Sequence, residues 1–192
     1  EITIVSGIPP QAVVQPFCHP GRGATEESLR RAGVQQQHVG SNPQIRLVGY
    51  DLLIIGPGPT DPIRAGLVDI VRQAADLRLP TLGICLGFQA IGLAFSAKLL
   101  RTHPVHGKRD QIEFSKSRLF PHTIGPHTVM RYHSLSLTEV IAPLRVTAQT
   151  AEGIPMALEH ETLPIAGLQF HPDSYATQTG RAMLADFFEA IS

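Results

Sequence analysis

Residues 81–92 constrain the fold of this chain more than any other stretch of its sequence. Thr81–Ile84 is a short apolar run that follows a proline, which predicts a buried strand. Residues 86–96 repeat apolar side chains at helical spacing and predict a helix. Cys85 therefore falls on a turn from strand to helix, with Gly83 and Gly87 two residues to either side.

This pattern is that of a nucleophile elbow with cysteine in place of serine. Small flanking residues permit the tight turn, and the side chain projects at the carboxyl edge of the sheet. A helix N-terminus beside a thiol favours the reactive thiolate, so we expect a lowered pKa at Cys85. A buried structural cysteine is the alternative interpretation, and the two glycines favour the nucleophile.

The residues before the elbow predict alternating strands and helices. Strands are predicted over 2–5 and 50–55, a weaker strand over 34–39, and a short helix over 25–32. The segment 6–23 contains four prolines and is predicted to be irregular. Asp61 is expected to cap a helix that starts at Pro62 and runs to about residue 77.

The residues after the elbow predict short antiparallel segments, at 98–102, 111–114, 117–119, 128–132, 144–149 and 156–159. Residues 164–170 predict a buried strand, and Thr177 is expected to cap a last helix that reaches residue 191. We therefore predict an α/β fold: a mostly parallel, doubly wound sheet with flanking helices and a small antiparallel extension. No repeat or linker is evident, so residues 1–192 are predicted to form one domain.

Composition narrows the possible partners. The chain of 192 residues carries 16 basic and 16 acidic side chains, a balance that gives no reason to expect nucleic acid or an anionic membrane as a partner. No run of about 18 apolar residues and no signal peptide is seen. Cys18 and Cys85 form neither a disulfide framework nor a metal-binding pair, which suits a cytoplasmic protein and predicts no metal site.

A nucleophilic thiol needs a base within reach and a third group that orients the base. His171 follows the predicted strand 164–170, so it should reach the same sheet edge as Cys85. Asp173 would project to the same side, because Pro172 is expected to hold the chain extended, and could fix the tautomer of His171. By itself, this tripeptide is equally typical of a capped turn.

A tetrahedral oxyanion needs two aimed N–H donors. The amide that directly follows the nucleophile, at Leu86, is one candidate. Gly58, in the run Gly56-Pro57-Gly58-Pro59 after strand 50–55, is the other, because only this residue near the tip has both an N–H and no Cβ. A rigid turn without an oxyanion role is the alternative.

Three segments together resemble the class I (triad) glutamine amidotransferase family. They are residues 56–59, residues 83–89 (Gly-Ile-Cys-Leu-Gly-Phe-Gln) and residues 171–174 (His-Pro-Asp-Ser). Val-His-Gly-Lys at 105–108 and Arg-Tyr-His-Ser-Leu at 131–135 are similar to the group of anthranilate synthase component II and aminodeoxychorismate synthase glutaminases. The resemblance covers about residues 50–190.

The resemblance implies hydrolysis of the side-chain amide of L-glutamine through a cysteine thioester, with ammonia passed to a chorismate-using synthase, and it implies no cofactor. Cys85 would be the nucleophile, His171 the base and then the acid, and Asp173 the orienting group. Oxyanion donors would be Gly58 and Leu86. Substrate contacts would come from Gly56, Pro57, Gly58, Gln89, Ser134 and Leu135, the last three at the amino-acid end.

Two departures from the family pattern leave alternatives open. Asp173 stands where glutamate is usual, and Ser6-Gly7-Ile8-Pro9-Pro10 replaces an Asp-Asn-x-Asp-Ser-Phe stretch that in the family lies near the synthase. The ammonia could instead serve another synthase, for example of the aminodeoxyisochorismate type in secondary metabolism. The chain could also be a catalytically idle, glutaminase-like interaction module.

Overall fold

A computed structural model of the protein describes residues 2–6, 35–39 and 46–192. Two predicted features, the irregular segment over 7–23 and the helix over 25–32, lie outside the described residues. Within this part of the chain, no helix is long and apolar enough to span a membrane.

Strands and helices alternate as predicted over residues 52–94, and the elements that follow are strands up to the last helix. The strands are β1 (Ile2–Ser6), β2 (Gln35–Val39), β3 (Leu52–Ile55), β4 (Thr81–Ile84), β5 (Lys98–Phe114), β6 (Gly125–Thr138), β7 (Leu144–Thr150), β8 (Pro155–His160) and β9 (Ile165–Leu168). The helices of the described part are α1 (Leu67–Asp76), α2 (Leu86–Ala94) and α3 (Gly180–Ile191).

The nine described strands join one sheet in the order β2-β1-β3-β4-β9-β8-β7-β5-β6. The centre, β3-β4-β9, is parallel, and the remaining described pairs are antiparallel. The α/β class is thus confirmed, but the sheet is mixed and not mostly parallel: two of its eight described strand pairs are parallel, and the other six, including both pairs of β1, are antiparallel. The antiparallel extension is larger than predicted, because β5 continues through two irregularities in its pairing with β6, where the sequence loses its alternation.

The sheet is covered on both faces, which places its parallel centre in the core. Leu52 and Ile54 of β3 pack on the side of helix α3, whereas Leu53 and Ile55 pack on the side of α1 and α2. All four side chains are buried. Side chains alternate across a strand, so a continuous apolar run is what a strand with two covered faces requires.

Helix α1 begins later than predicted. Asp61 does cap a turn, since its Oδ1 accepts from the amides of Ile63 at 2.8 Å and Arg64 at 3.1 Å. Gly66 then adopts a left-handed conformation, with φ at +69°, and interrupts the helical path. The regular helix therefore starts at Leu67.

Residues 117–119 form a turn and not the predicted strand. The buried carboxylate of Glu159 accepts from Ser117 Oγ at 2.6 Å, Arg118 N at 3.0 Å and Leu119 N at 2.9 Å. Those amides consequently cannot pair with a neighbouring strand.

Candidate active site

The structure places Cys85 on the turn between β4 and α2. Its backbone has φ of 54° and ψ of −95°, and its amide donates to Leu168 O of β9 at 2.8 Å. A Cβ added at Gly87 would lie 2.2 Å from Ile55 O, and one at Gly83 would lie 2.4 Å from the backbone of Gly87. The tight elbow thus depends on glycine at both positions, because only glycine allows backbones to approach so closely.

Cys85 is 8 % exposed, and this burial governs the acidity of its thiol. Burial raises the pKa of Cys85 to about 11, and a hydrogen bond from the Leu86 amide lowers it only in part. The expectation of a pKa lowered by the helix N-terminus is therefore wrong, because desolvation of the thiolate outweighs that amide and helix contribution. The resting sulfur is a protonated thiol at neutral pH.

A cleft of about 210 Å³ opens beside this thiol. Its walls come from the loop after β3, the elbow, helix α2 and strand β6. Six of the predicted site residues line it, and the full set is Gly58, Pro59, Thr60, Cys85, Leu86, Gln89, Tyr132, His133, Ser134 and Leu135. The predicted residues Gly56, Pro57, His171 and Asp173 are not among the wall residues.

Buried amides connect one wall of the cleft to the thiol. Gln89 Nε2 donates to Leu135 O at 3.5 Å and to Gln169 Oε1 at 3.3 Å. Gln169 Nε2 in turn donates to Cys85 Sγ at 3.8 Å. Gln89 is 4 % exposed and Gln169 is fully buried, so water does not compete for these groups.

His171 and Asp173 do not form the predicted hydrogen-bonded pair. The distance between His171 Nδ1 and Asp173 Oδ1 is 3.8 Å, and the Asp173 side chain is 58 % exposed. Pro172 does not hold an extended segment here: Ser174 N donates to His171 O at 3.2 Å and closes a turn, which separates the two side chains. Among the described residues, buried Nε2 of His171 has no hydrogen-bond partner, so none forms with Cys85.

The backbone of His171 is nevertheless held firmly against strand β6. Its amide donates to Met130 O at 3.2 Å, and its carbonyl accepts from Thr177 Oγ1 at 2.8 Å. The same hydroxyl accepts from Met130 N at 3.0 Å. Thr177 is therefore not the cap of helix α3, which begins three residues later at Gly180, and the prediction of that role is wrong.

Burial lowers the pKa of His171, and the carboxylate of Asp173 raises it in smaller measure. The imidazole is thus neutral at pH 7 and able to accept a proton. The ring of Tyr132 packs edge-on against it, with centroids 5.4 Å apart.

A second buried histidine shapes the wall on β6. His133 Nδ1 lies 2.9 Å from Leu135 O, and its Nε2 accepts from Arg131 Nε at 3.1 Å. Arg131 is itself paired with Asp110. Burial first, then the charge of Arg131, lower the pKa of His133 to about 4, so this ring is neutral, with its proton on Nδ1.

Sequence reasoning missed three residues that the structure brings to the site: His133, Gln169 and Thr177. His133 stands inside the segment 131–135, where only the next two residues, Ser134 and Leu135, were given a role. Gln169 is an isolated amide in an otherwise apolar predicted strand, and a polar side chain at such a position needs a partner. No group of three or more His, Cys, Asp or Glu side chains suited to a metal occurs in the described residues.

The sequence profile of the family Glutamine amidotransferase class-I matches residues 24–191. Anthranilate synthase component 2 of Mycobacterium tuberculosis is 42 % identical over 142 residues, which are 72 % of this chain and 61 % of that protein. Aminodeoxychorismate synthase of Streptomyces griseus is 41 % identical over 143 residues, 73 % of this chain. The chain thus spans under two thirds of the first of these relatives and about 20 % of the second.

Two further relatives extend the comparison. Aminodeoxychorismate/anthranilate synthase component 2 of Bacillus subtilis is 39 % identical over 150 residues, 76 % of this chain and 77 % of that protein. A solved structure from Thermoplasma acidophilum, described as part of a GMP synthase, superposes with a TM-score of 0.68 at 27 % identity, covering 76 % of this chain and 74 % of that one. A profile match over most of the chain and this shared fold place the protein in the class I glutamine amidotransferase family.

Proposed function

We propose that this protein is a glutaminase, which hydrolyses the side-chain amide of L-glutamine and delivers ammonia to a chorismate-using synthase of the anthranilate synthase type. The observation that carries this proposal is the position of Cys85, on an elbow at a cleft that Gly58, Leu86, Gln89 and the 134–135 segment also line. The names of the relatives, synthases and synthase components, support the choice of partner.

In the proposed reaction, neutral His171 takes the proton of the Cys85 thiol as sulfur attacks the amide carbon. The resulting oxyanion accepts hydrogen bonds from the amides of Leu86 and Gly58. His171 returns the proton to the leaving nitrogen, and ammonia departs from a γ-glutamyl thioester. Water, deprotonated by the same imidazole, then hydrolyses the thioester and frees glutamate and the thiol.

The amino-acid end of glutamine would lie against Gln89 and the backbone at Ser134 and Leu135, with Gly56 and Pro57 shaping the loop that presents Gly58. His133 supports this wall, since its Nδ1–H donates to the Leu135 carbonyl. The reaction needs no cofactor, and a reducing cytoplasm would keep the cysteine reduced.

A non-catalytic docking module is the second candidate. It is favoured by the 3.8 Å separation between His171 and Asp173, and by a thiol that burial keeps protonated. A third candidate is the same chemistry for a synthase of the aminodeoxyisochorismate type.

The deciding experiment measures glutamate and ammonia release from glutamine, with and without the chorismate-using synthase of the same organism. We expect Cys85→Ala to abolish the glutamine-dependent product while the synthase still uses added ammonium. Glutamate release at the parental rate from Cys85→Ala would overturn the proposal. No release from the parent chain under either condition would favour the docking module, and the product made identifies the synthase type.

A further inference from the structure

Gln169 contacts the proposed nucleophile but is not among the residues that line the cleft. It is fully buried, immediately after strand β9, and its backbone amide donates to Met156 O at 2.9 Å. Its side-chain Nε2 lies 3.8 Å from Cys85 Sγ, within the range of a hydrogen bond to sulfur. A buried amide at this position needs both of its polar atoms satisfied.

The side chain of Gln89 fixes the orientation of this amide. The backbone oxygen of Leu135 can only accept, so the Gln89 atom that faces it must be the Nε2 donor. The same Nε2 faces Gln169, which must therefore present Oε1 to it. Rotation of the Gln169 amide would place two donors against each other, so its own N–H groups are left to point at the sulfur.

We propose that Gln169 is a positioning residue for Cys85: its amide, held in one orientation by Gln89, donates a hydrogen bond that fixes the sulfur and stabilises the thiolate. This inference rests on the proposed function of Cys85 as nucleophile and adds a donor to that site. Hydrogen bonds to a charged acceptor are stronger than those to a neutral one, so the contact strengthens as the proton leaves.

The hydrogen bond from Gln169 explains how a thiol so deeply buried becomes usable. Desolvation raises the pKa of Cys85, and the hydrogen bond from the Leu86 amide offsets only part of that rise. A second donor to the sulfur, the Gln169 amide, lowers the energy of the thiolate that forms when His171 takes the proton. The hydrogen bonds that run from Leu135 through Gln89 to Gln169 also connect the nucleophile with the wall that is proposed to bind the substrate.

The test measures the rate at which chloroacetamide alkylates Cys85, as a function of pH, in a Cys18→Ala background without glutamine. Below the thiol pKa this rate follows the thiolate fraction. Gln169→Met keeps the approximate volume and removes the donor. We expect alkylation to slow about tenfold at every pH from 7 to 9, which corresponds to a rise of about one unit in the thiol pKa.

Gln89→Met removes the group that orients Gln169 and should slow alkylation by a smaller factor. The double variant should react no more slowly than Gln169→Met alone, because both changes act through one hydrogen bond. Thr147→Val, a buried isosteric change away from the elbow, is the control and should leave the rate unchanged. If Gln169→Met does not fold, Gln169→Asn serves in its place, since the shorter side chain withdraws the amide from the sulfur.

For the reaction itself, Gln169→Met should lower kcat about tenfold and leave KM for glutamine within about twofold, as expected of a residue that acts only on the nucleophile. Alkylation at the parental rate in folded Gln169 variants would overturn the proposal. Failure of the parent chain to hydrolyse glutamine would instead remove the proposed function, while the alkylation rates would still report on the Gln169 hydrogen bond.

Discussion

Nδ1 of His171 and Oδ1 of Asp173 lie 3.8 Å apart, farther than a hydrogen bond between a ring nitrogen and a carboxylate extends. The turn closed by Ser174 N and His171 O sets this separation. Asp173 therefore acts on the imidazole through its charge, which raises the pKa of His171, and not by fixing its tautomer.

The distance between His171 and Asp173 predicts that a longer acidic side chain at position 173 raises activity, whereas substitution of the acidic residue of a triad usually lowers it. Asp173→Glu adds one methylene and brings the carboxylate within reach of Nδ1, so we expect kcat for glutamine hydrolysis to rise several-fold. Asp173→Asn should lower kcat less than tenfold, whereas His171→Asn should lower it by about 10²–10⁴. A loss of activity in Asp173→Glu, with unchanged melting, would show that the turn already holds the carboxylate correctly.

The acid limb of the pH profile should reflect the buried environment of His171. Burial lowers the pKa of this group, so the base stays neutral below the ordinary histidine value of about 6.5. We expect kcat/KM to be constant at neutral pH and to fall as the pH is lowered, with the midpoint of that fall below about 6.5. Asp173→Asn removes the charge that raises this pKa, so its midpoint should move further to acid. A midpoint that moves to higher pH would contradict this account.

Gly58→Ala tests whether Gly58 donates its amide to the oxyanion or only forms the turn after β3. The added Cβ would lie 2.9 Å from Leu86 Cδ2, the flexible end of a side chain, and Gly58 does not adopt a left-handed φ. The variant should therefore fold with near-parental melting. The backbone N–H remains, but the added methyl crowds Leu86 at the cleft and displaces the Gly58 amide from the oxyanion, so we expect kcat to fall about 10²–10³. Gly87→Ala is the contrast, because its Cβ would meet Ile55 O at 2.2 Å and should lower stability as well. Thioester formation at the parental rate in Gly58→Ala would place the second donor elsewhere.

Thr177 should matter for activity through His171. Its hydroxyl joins the carbonyl of His171 to the amide of Met130, so Thr177→Val loses both hydrogen bonds and leaves the buried Met130 amide without its partner. We expect kcat to fall at least tenfold with little change in KM, and melting to drop by a few degrees. Thr177→Ser keeps the hydroxyl and should restore most of kcat. Equal losses in both variants would contradict the positioning role.

The sequence predicted the parallel centre and the elbow because both are local patterns. Apolar runs at 52–55 and 81–84 determine the strands, and glycines on either side of Cys85 determine the turn. Placement of Gly58, Gln89 and the 134–135 segment around one cleft also followed, through motifs that the family shares.

What the sequence could not predict depends on contacts between distant residues. The amide of Gln169 reaches a sulfur 84 positions away, and the acidity of the Cys85 thiol is set by everything that covers it. The continuous β5 strand depends on its pairing with β6 through two irregularities. The turn after His171 depends on which amide reaches its carbonyl, which alternation along the chain does not specify.

Cys85 is proposed as the nucleophile of a glutamine-binding cleft. The most direct test of this role is mass spectrometry of the chain after incubation with an electrophilic glutamine analogue, read on the peptides that contain Cys85 and Cys18. We predict one adduct per chain on Cys85, prevented by excess glutamine and absent from Cys85→Ala. An adduct on Cys18 that glutamine blocks, or labelling of Cys85→Ala equal to that of the parent, would contradict the account.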